Sequence, residues 1–372
     1  MWVQQVWLHD FRCYRETHVE FAEGLTVVSG STGSGKTSLL EAIAYVATLS
    51  SFRGAPTDAM VRLGAERGVS RAQVFTDGRE VLLEAEIVPA GRNRLLVNKQ
   101  PLRRQRDLRE VLRVSVFSPD DLVLVKGGPS ERRGYLDDLL VALHPRNEAV
   151  VGDVERILRQ RNALLKQTGG RLTDEIGFTL DVWDQKLATA GTALGRTRVE
   201  ALETLRPWLD RAYADIAGSG GSGQDGTCVE STYQSAWHET EGGLEEALVR
   251  GRVDDVRRGL TLTGPHRDDV TLLISGRPSR THASQGEQRT LALALRLAAH
   301  RLVAETIGSA PVLLLDDVFS ELDPQRSAAL LHNLPPGQTI VATASPVPSG
   351  AVVDRQIAIA TGAIGAIGGS SW

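Results

Sequence analysis

The run Gly30-Ser31-Thr32-Gly33-Ser34-Gly35-Lys36-Thr37 constrains this chain more than any other stretch. It satisfies G-x-x-x-x-G-K-[ST] in full. The β-prone residues Leu25, Val27 and Val28 precede it, and apolar residues at Leu39, Leu40, Ile43 and Val46 follow at helical spacing. Strand, glycine loop, then helix is the context a phosphate loop requires. Glycines let consecutive backbone N–H groups turn inward around phosphate oxygens, where a Cβ would obstruct the path. The helix start adds unsatisfied N–H groups and the positive end of its dipole. Gly30, Gly33, Gly35, Lys36 and Thr37 are therefore the expected nucleotide-binding residues. Lys36 suits the β- and γ-phosphates, and the Thr37 hydroxyl suits Mg²⁺.

A second signal lies far downstream. Pro311-Val312-Leu313-Leu314-Leu315 is an apolar run without alternation, as in a buried parallel strand, and it ends in Asp316-Asp317. Open α/β sheets bind ligands at their carboxyl edge. There Asp316 suits Mg²⁺, and Asp317 would point elsewhere and polarise an attacking water. Alone, such a pair also fits an ordinary strand-end turn with solvated acids. Ser284-Gln285-Gly286-Glu287-Gln288-Arg289 opens a long apolar-rich helix through residue 304, where a serine and free N–H groups could meet a phosphate or simply cap the helix.

Composition narrows the class. With 372 residues the chain can bury a substantial core, as one large domain with a smaller insertion or as two in series. No apolar run reaches the length of a membrane span, and the start lacks the pattern of a signal peptide. Cys13 and Cys228 alone make neither a disulfide framework nor a zinc cluster, which fits a reducing cytoplasm. The net charge of −4 argues against a uniformly basic coat. Residues 92–113 nevertheless hold eight basic side chains against two acids. Arg92, Arg94, Lys99, Arg103, Arg104 and Arg106 are the candidates there for phosphate contacts, although a solvated basic face reads the same way.

Along the chain, Val3, Val6 and Leu8 with Val19 and Phe21 suggest two paired strands, and residues 69–88 suggest another pair about Thr76-Asp77-Gly78-Arg79. Residues 94–97 and 114–117 read as strands. Residues 148–167 and 175–208 read as long polar helices, with Pro207 leaving the end of the second open. The Gly-Ser run at 218–223 reads as a flexible loop near 218–227. Residues 260–263 and 270–274 read as strands of the first domain, and 339–343 and 355–360 as further sheet strands. These elements predict an α/β head from residues 1–128 and 260–372, interrupted by a helical lobe at 129–259.

The order phosphate loop, S-Q-G-E-Q-R, then L-L-L-D-D-V-F-S-E-L-D resembles the ABC-type ATPases of chromosome maintenance and repair, and most closely the RecF family. Asp10-Phe11-Arg12-Cys13-Tyr14, Phe117-Ser118-Pro119-Asp120-Asp121-Leu122, residues 128–137 and Thr263-Gly264-Pro265-His266-Arg267-Asp268-Asp269 match further family motifs. The resemblance implies an ABC-type ATPase head with parallel and antiparallel sheet elements. It implies that Ser284, Gln285, Gly286, Glu287 and Gln288 form a signature that meets the ATP of a second subunit in an ATP-dependent homodimer. Thr37 and Asp316 then serve Mg²⁺, and Asp317 is the catalytic acid. Implied partners are double-stranded and gapped DNA, RecR and RecO, with RecA loaded indirectly at single-strand gaps. Three departures stand out: Cys13 and Thr32 replace the usual asparagines, and Ala344 follows residues 339–343 where many ABC ATPases have a sensing histidine. A weak, DNA-stimulated ATPase is therefore expected, and a nucleotide-gated DNA-binding scaffold is the alternative. A stand-alone SMC-like or transporter-type ATPase fits less well, for want of a long heptad arm or a membrane-coupling feature.

Overall fold

A computed structural model of the chain describes residues 1–102, 108–217, 228–360 and 363–366. Strand β1 (Trp2–Phe11) shows how the sequence shapes the first sheet. Val3, Val6 and Leu8 are all buried, although Val3 and Val6 are three residues apart. A register shift between Val3 and Gln5 against the neighbouring strand reconciles that spacing with a period of two. Next come β2 (Tyr14–Glu20), β3 (Leu25–Ser29), α1 (Lys36–Thr48), α2 (Thr57–Met60), β4 (Gly68–Thr76) and β5 (Arg79–Ile87). Asp77 and Gly78 both have positive φ, so the β4–β5 hairpin closes on a two-residue turn whose twist suits its strands. Then follow β6 (Arg94–Val97), β7 (Gln100–Pro101), α3 (Leu108–Val111), β8 (Val114–Phe117) and a 3-10 turn at Pro119–Leu122.

The middle of the chain holds α4 (Val123–Lys126), α5 (Pro129–Leu143), α6 (Asn147–Gln167), α7 (Asp174–Ala217), β9 (Val229–Gln234), α8 (Gly243–Arg258), β10 (Asp269–Ile274), β11 (Arg277–Pro278) and α9 (Ser279–His282). The last stretch holds α10 (Gln285–Ile307), β12 (Val312–Asp316), α11 (Val318–Glu321), α12 (Pro324–His332), β13 (Thr339–Thr343), β14 (Arg355–Ala360) and β15 (Ala363–Ala366).

The chain divides into two compact units: Met1–Leu122, Arg211–Gln224 and Ser284–Trp372 form the first, and Val123–Asp210 with Asp225–Ala283 the second. In the first, an antiparallel sheet of order β2-β1-β4-β5-β6-β7 faces a sheet of order β15-β14-β3-β13-β12-β8, parallel except for β15. Helix α1 packs against strands of both, and Leu39, Leu40, Ile43 and Val46 on it are completely buried. Strands β3, β13 and β12 lie side by side, with Ser29 level with Thr343 and Asp316 level with Ala342. The phosphate-loop residues and the Asp316-Asp317 pair thus emerge at one edge of one sheet, separated by a single strand. The α/β head expected from the sequence is present.

In the second unit α6, α7 and α8 enclose an apolar cluster that includes Val154, Leu187, Trp237 and Leu248. Arg161 is completely buried there and bonds to Asp184, Asp255 and the Thr261 hydroxyl at 2.7–2.8 Å. Helix α7 runs 44 residues and continues through Pro207. The division falls differently from the expected lobe at 129–259, because β10 pairs with β9 and keeps residues 260–283 in the second unit. Residues 260–263 are not a strand. Asn162 accepts both the N–H and the hydroxyl of Thr261, and His266 and Arg267 bond to its carbonyl, so side chains replace a ladder. The Gly-Ser loop near 218–227 lies outside the described residues.

Candidate functional site

The phosphate-loop backbone takes the conformations its glycines permit. Gly33 has φ 80° and Gly35 φ 113°, both in the region that favours glycine. At Gly35 there is also no room: a Cβ would come within 2.8 Å of Cys13 Sγ and of the Tyr14 hydroxyl. Tyr14 donates that hydroxyl to the Gly35 carbonyl at 3.0 Å. Gly30 is pressed against β14, where a Cβ would stand 2.3 Å from the Ile359 carbonyl oxygen. Lys36 is buried and donates from Nζ to the carbonyls of Gly30 and Ser31, both at 2.8 Å. Its ammonium is held in the mouth of the loop.

Thr37 follows on the first turn of α1, and its hydroxyl donates to Asp316 Oδ1 at 2.9 Å. Burial pushes the Asp316 carboxyl up to about 6, with Asp317 adding to the rise, while the Thr37 hydrogen bond, Arg53 and Lys36 oppose it. Asp317 turns away from its neighbour. Its φ is 48°, its N–H donates to the Ala342 carbonyl at 2.8 Å, and its carboxylate accepts from Ala344 N at 3.4 Å. The two adjacent acids therefore face different surroundings.

Ser284 caps α10 in a reciprocal arrangement. Its hydroxyl accepts from Glu287 N at 3.3 Å, and Glu287 Oε2 accepts from both Ser284 N and Ser284 Oγ at 2.7 Å. These bonds hold the Glu287 carboxyl below the usual carboxylate range. Gln285 is exposed and Gln288 buried. Gly286 lies under Arg326, whose Nη1 would be 2.4 Å from an added Cβ. Arg326 pairs with Asp323 at 3.3 Å, and Arg289 with Glu321 at 2.6 Å, so the start of α10 is knitted to residues 320–326.

The basic candidates divide. Arg92, Arg94 and Lys99 are exposed around the β6–β7 hairpin, with Lys99 at φ 66° in its turn and Arg94 4.0 Å from Glu86. Arg103, Arg104 and Arg106 lie outside the described residues. His266 is no surface group: burial lowers it to about 4, and its Nε2 contacts the Thr261 carbonyl at 2.9 Å. The motifs around it lock the second unit together. Arg132 forks onto Asp269 at 2.8 and 3.0 Å, and Arg133 donates to the Asp268 carbonyl at 2.7 Å. Arg198 forks onto Asp137 at 2.8 and 2.7 Å.

Two contacts had no local signal in the sequence. Arg296 on α10 binds Asp121 at 2.9 and 2.6 Å, and Asp121 in turn caps Ser118 N at 2.8 Å. Glu41 on α1 is gripped by Arg12. Among the described residues no group of three or more His, Cys, Asp or Glu could hold a metal by itself, and no helix is long and apolar enough to cross a membrane.

A phosphate loop closing on an acidic strand end in a mixed-sheet head defines an ATPase head of the ABC/SMC type. Residues 2–356 match the RecF/RecN/SMC N terminal domain family. The chain is 45% identical over 336 residues to the DNA replication and repair protein RecF of Acidothermus cellulolyticus, covering 89% of this chain and 90% of that one. It is 41% identical to the protein of the same name from Streptomyces avermitilis, covering 93% and 94%. A solved structure of the recombination mediator protein RecF with ATP superposes with a TM-score of 0.86 at 29% identity, covering 98% of this chain and 97% of that one. An SMC head bound to the winged-helix domain of ScpA shares the fold, with a TM-score of 0.59 at 16% identity over 99% and 98% of the chains. The chain belongs to the RecF family.

Proposed function

We propose that this chain is an ATP-dependent recombination mediator: it binds ATP with Mg²⁺, pairs with a second copy, associates with DNA and helps load RecA at single-strand gaps with RecO and RecR. The observation that carries the reading is the Thr37–Asp316 contact at 2.9 Å beside the Lys36 loop, which brings a phosphate cradle and a metal-type donor pair together. Relatives named for DNA replication and repair, and a RecF structure with ATP, support the same reading.

In it, Gly30, Gly33, Gly35 and Lys36 hold the phosphates. Thr37 and Asp316 would hold Mg²⁺, which supplies charge neutralisation at the β- and γ-oxygens. The donor set fits a hard cation, with a hydroxyl and a carboxylate and no thiolate. Asp317, turned away from Asp316, orients the attacking water. Ser284, Gln285, Gly286, Glu287 and Gln288 face the nucleotide of the partner copy. The unit that carries the phosphate loop and the Asp316-Asp317 pair acts as the head and the helix-rich unit as the lobe, and Arg92, Arg94, Lys99, Arg103, Arg104 and Arg106 meet DNA phosphates in the cytoplasm.

One observation favours a second reading, a nucleotide-gated scaffold with little hydrolysis: at Ala344 a backbone N–H faces Asp317, and no side chain is available there to sense the γ-phosphate. Sedimentation with Mg²⁺-ATP, Mg²⁺-ADP and no nucleotide tests what the two readings share. Only ATP should dimerise the protein, and S284R should bind ATP yet stay monomeric. A mutant that dimerises like the wild type removes the shared-site reading.

A further inference from the structure

Glu41 lies on α1 four residues beyond Thr37 and is completely buried. Packing alone would be served by an apolar side chain here, and a buried carboxylate persists only when its oxygens are paired. Both are. Arg12 donates from Nε to Oε2 and from Nη2 to Oε1, each at 2.7 Å, and the Ser51 hydroxyl makes a short bond to Oε1. The same Ser51 oxygen accepts from Arg53 N at 3.1 Å.

Two segments thus converge on one carboxylate of α1. The first is the turn of residues 10–14, strained at Asp10 (φ 46°) and Arg12 (φ 53°). Arg12 fastens it further through bonds to the Ala59 and Met60 carbonyls at 2.8 and 2.9 Å. That turn sets Cys13 and Tyr14 against Gly35. The second segment carries Arg53, tied to Ser51 through its backbone N–H, and its guanidinium charge reaches the Asp316 carboxylate.

We propose that Glu41 is a positioning residue of the nucleotide site: through Ser51 and Arg12 it keeps the Arg53 segment and the 10–14 turn in register with the phosphate loop. Its carboxylate bonds to Arg12 and Ser51, while the Lys36 ammonium and the Thr37 hydroxyl bond elsewhere, so it governs turnover more than nucleotide affinity. The inference rests on the hydrolytic reading above.

The test uses the full chain with Mg²⁺-ATP. S51A removes one hydroxyl and should lower kcat about tenfold while moving the ATP Kd less than about threefold. R53A should lower kcat at least as far. Adding S51A to R53A should cost less than about twofold more, since the group that Ser51 places is already gone. E41Q should follow S51A, with E41D partly restoring turnover. Unchanged kcat in both S51A and E41Q overturns the proposal, as does an equal loss of affinity, or a full S51A effect in the R53A background.

A second readout needs no turnover. Trypsin cleavage after Arg53, referred to cleavage after Arg171, should quicken at least about fivefold in S51A and E41Q, because the segment loses its anchor. If wild type and D317N alike release no phosphate, the hydrolytic reading falls, and the cleavage ratio alone decides whether Glu41 holds the segment. An unchanged ratio then overturns the positioning role.

Discussion

The Thr37 hydroxyl donates to Asp316 Oδ1 at 2.9 Å, joining the first turn of α1 to the end of β12 across 279 positions of sequence. The sheet order makes this possible: β13 lies between β3 and β12, and the three end within one residue of each other. The contact gives one hydroxyl and one carboxylate the spacing of a shared ligand pair. It also leaves Asp316 buried beside Asp317, with consequences for stability as well as for binding.

Asp316 titrates near 6 when folded, against about 4 for an ordinary aspartate. The folded state therefore holds the proton more tightly. Below about pH 4 both states are protonated and nothing is lost; between about 4 and 6 stability falls as pH rises, and above about 6 the whole penalty is present. Two pKa units correspond to about 2–3 kcal/mol. D316N removes that penalty and can still accept from Thr37. The nucleotide-free mutant should match wild type in Tm at pH 4 and exceed it by roughly several degrees at pH 7.5. A mutant less stable than wild type at pH 7.5 would contradict the burial account.

The phosphate-loop glycines should separate by cause. G33A meets open space and suffers only its φ of 80°, whereas G35A suffers φ 113° and also drives a methyl into Cys13 and Tyr14. Backbone strain of this kind costs about 1–3 kcal/mol. G35A should lose detectable nucleotide binding and a larger share of its thermal stability, with G33A weaker on both counts but measurable. Equal Tm losses in the two variants would show that the Cys13–Tyr14 contact does not matter.

Lys36 and Thr37 were legible because the chemistry is written contiguously: the motif, its strand and its helix occupy adjacent positions. Asp316 was legible as the end of an unbroken apolar run. The α/β head could be read because β3, β12 and β13 are buried on both faces and carry no alternation. Arg12 and Glu41, 29 positions apart, carried no such mark, since only the rotation of α1 against the opening turn brings them together. The run at 260–263 looked like a strand because its composition is strand-like, but Asn162 and His266 had already taken the polar groups of Thr261. Likewise α7 continues through Pro207, where local propensity left the helix end open.

Asp317 is predicted to serve turnover and not binding. Its backbone is held at φ 48° by the N–H bond to Ala342, so replacing the side chain leaves its placement intact. D317N should keep ATP affinity within about threefold and lower phosphate release by roughly a hundredfold or more, the scale of a lost acid–base partner. The mutant should also stay dimeric longer after ATP addition, because release of the pair waits on hydrolysis. Equal phosphate release from mutant and wild type would remove Asp317 from the chemistry.

The β6–β7 hairpin gives the DNA reading a quantitative form. Asn93 anchors its base, accepting from Val88 N at 3.0 Å and donating to the Tyr45 hydroxyl on α1 at 3.0 Å. Lys99 stands in its turn, and Arg94 is 77% exposed with Glu86 only at 4.0 Å, too far to neutralise it by a close pair. Each phosphate contact releases counterions and contributes about 0.9 to the slope of log K against log salt. R94A with K99A should therefore lower that slope by about 1.8 on duplex DNA while leaving ATP-driven dimerisation unchanged. Because Arg94 shares some of its field with Glu86 and Lys99 pairs with no acid among the described residues, K99A should account for the larger part of the loss at low salt. A slope unmoved by both substitutions would take this hairpin out of the DNA interface.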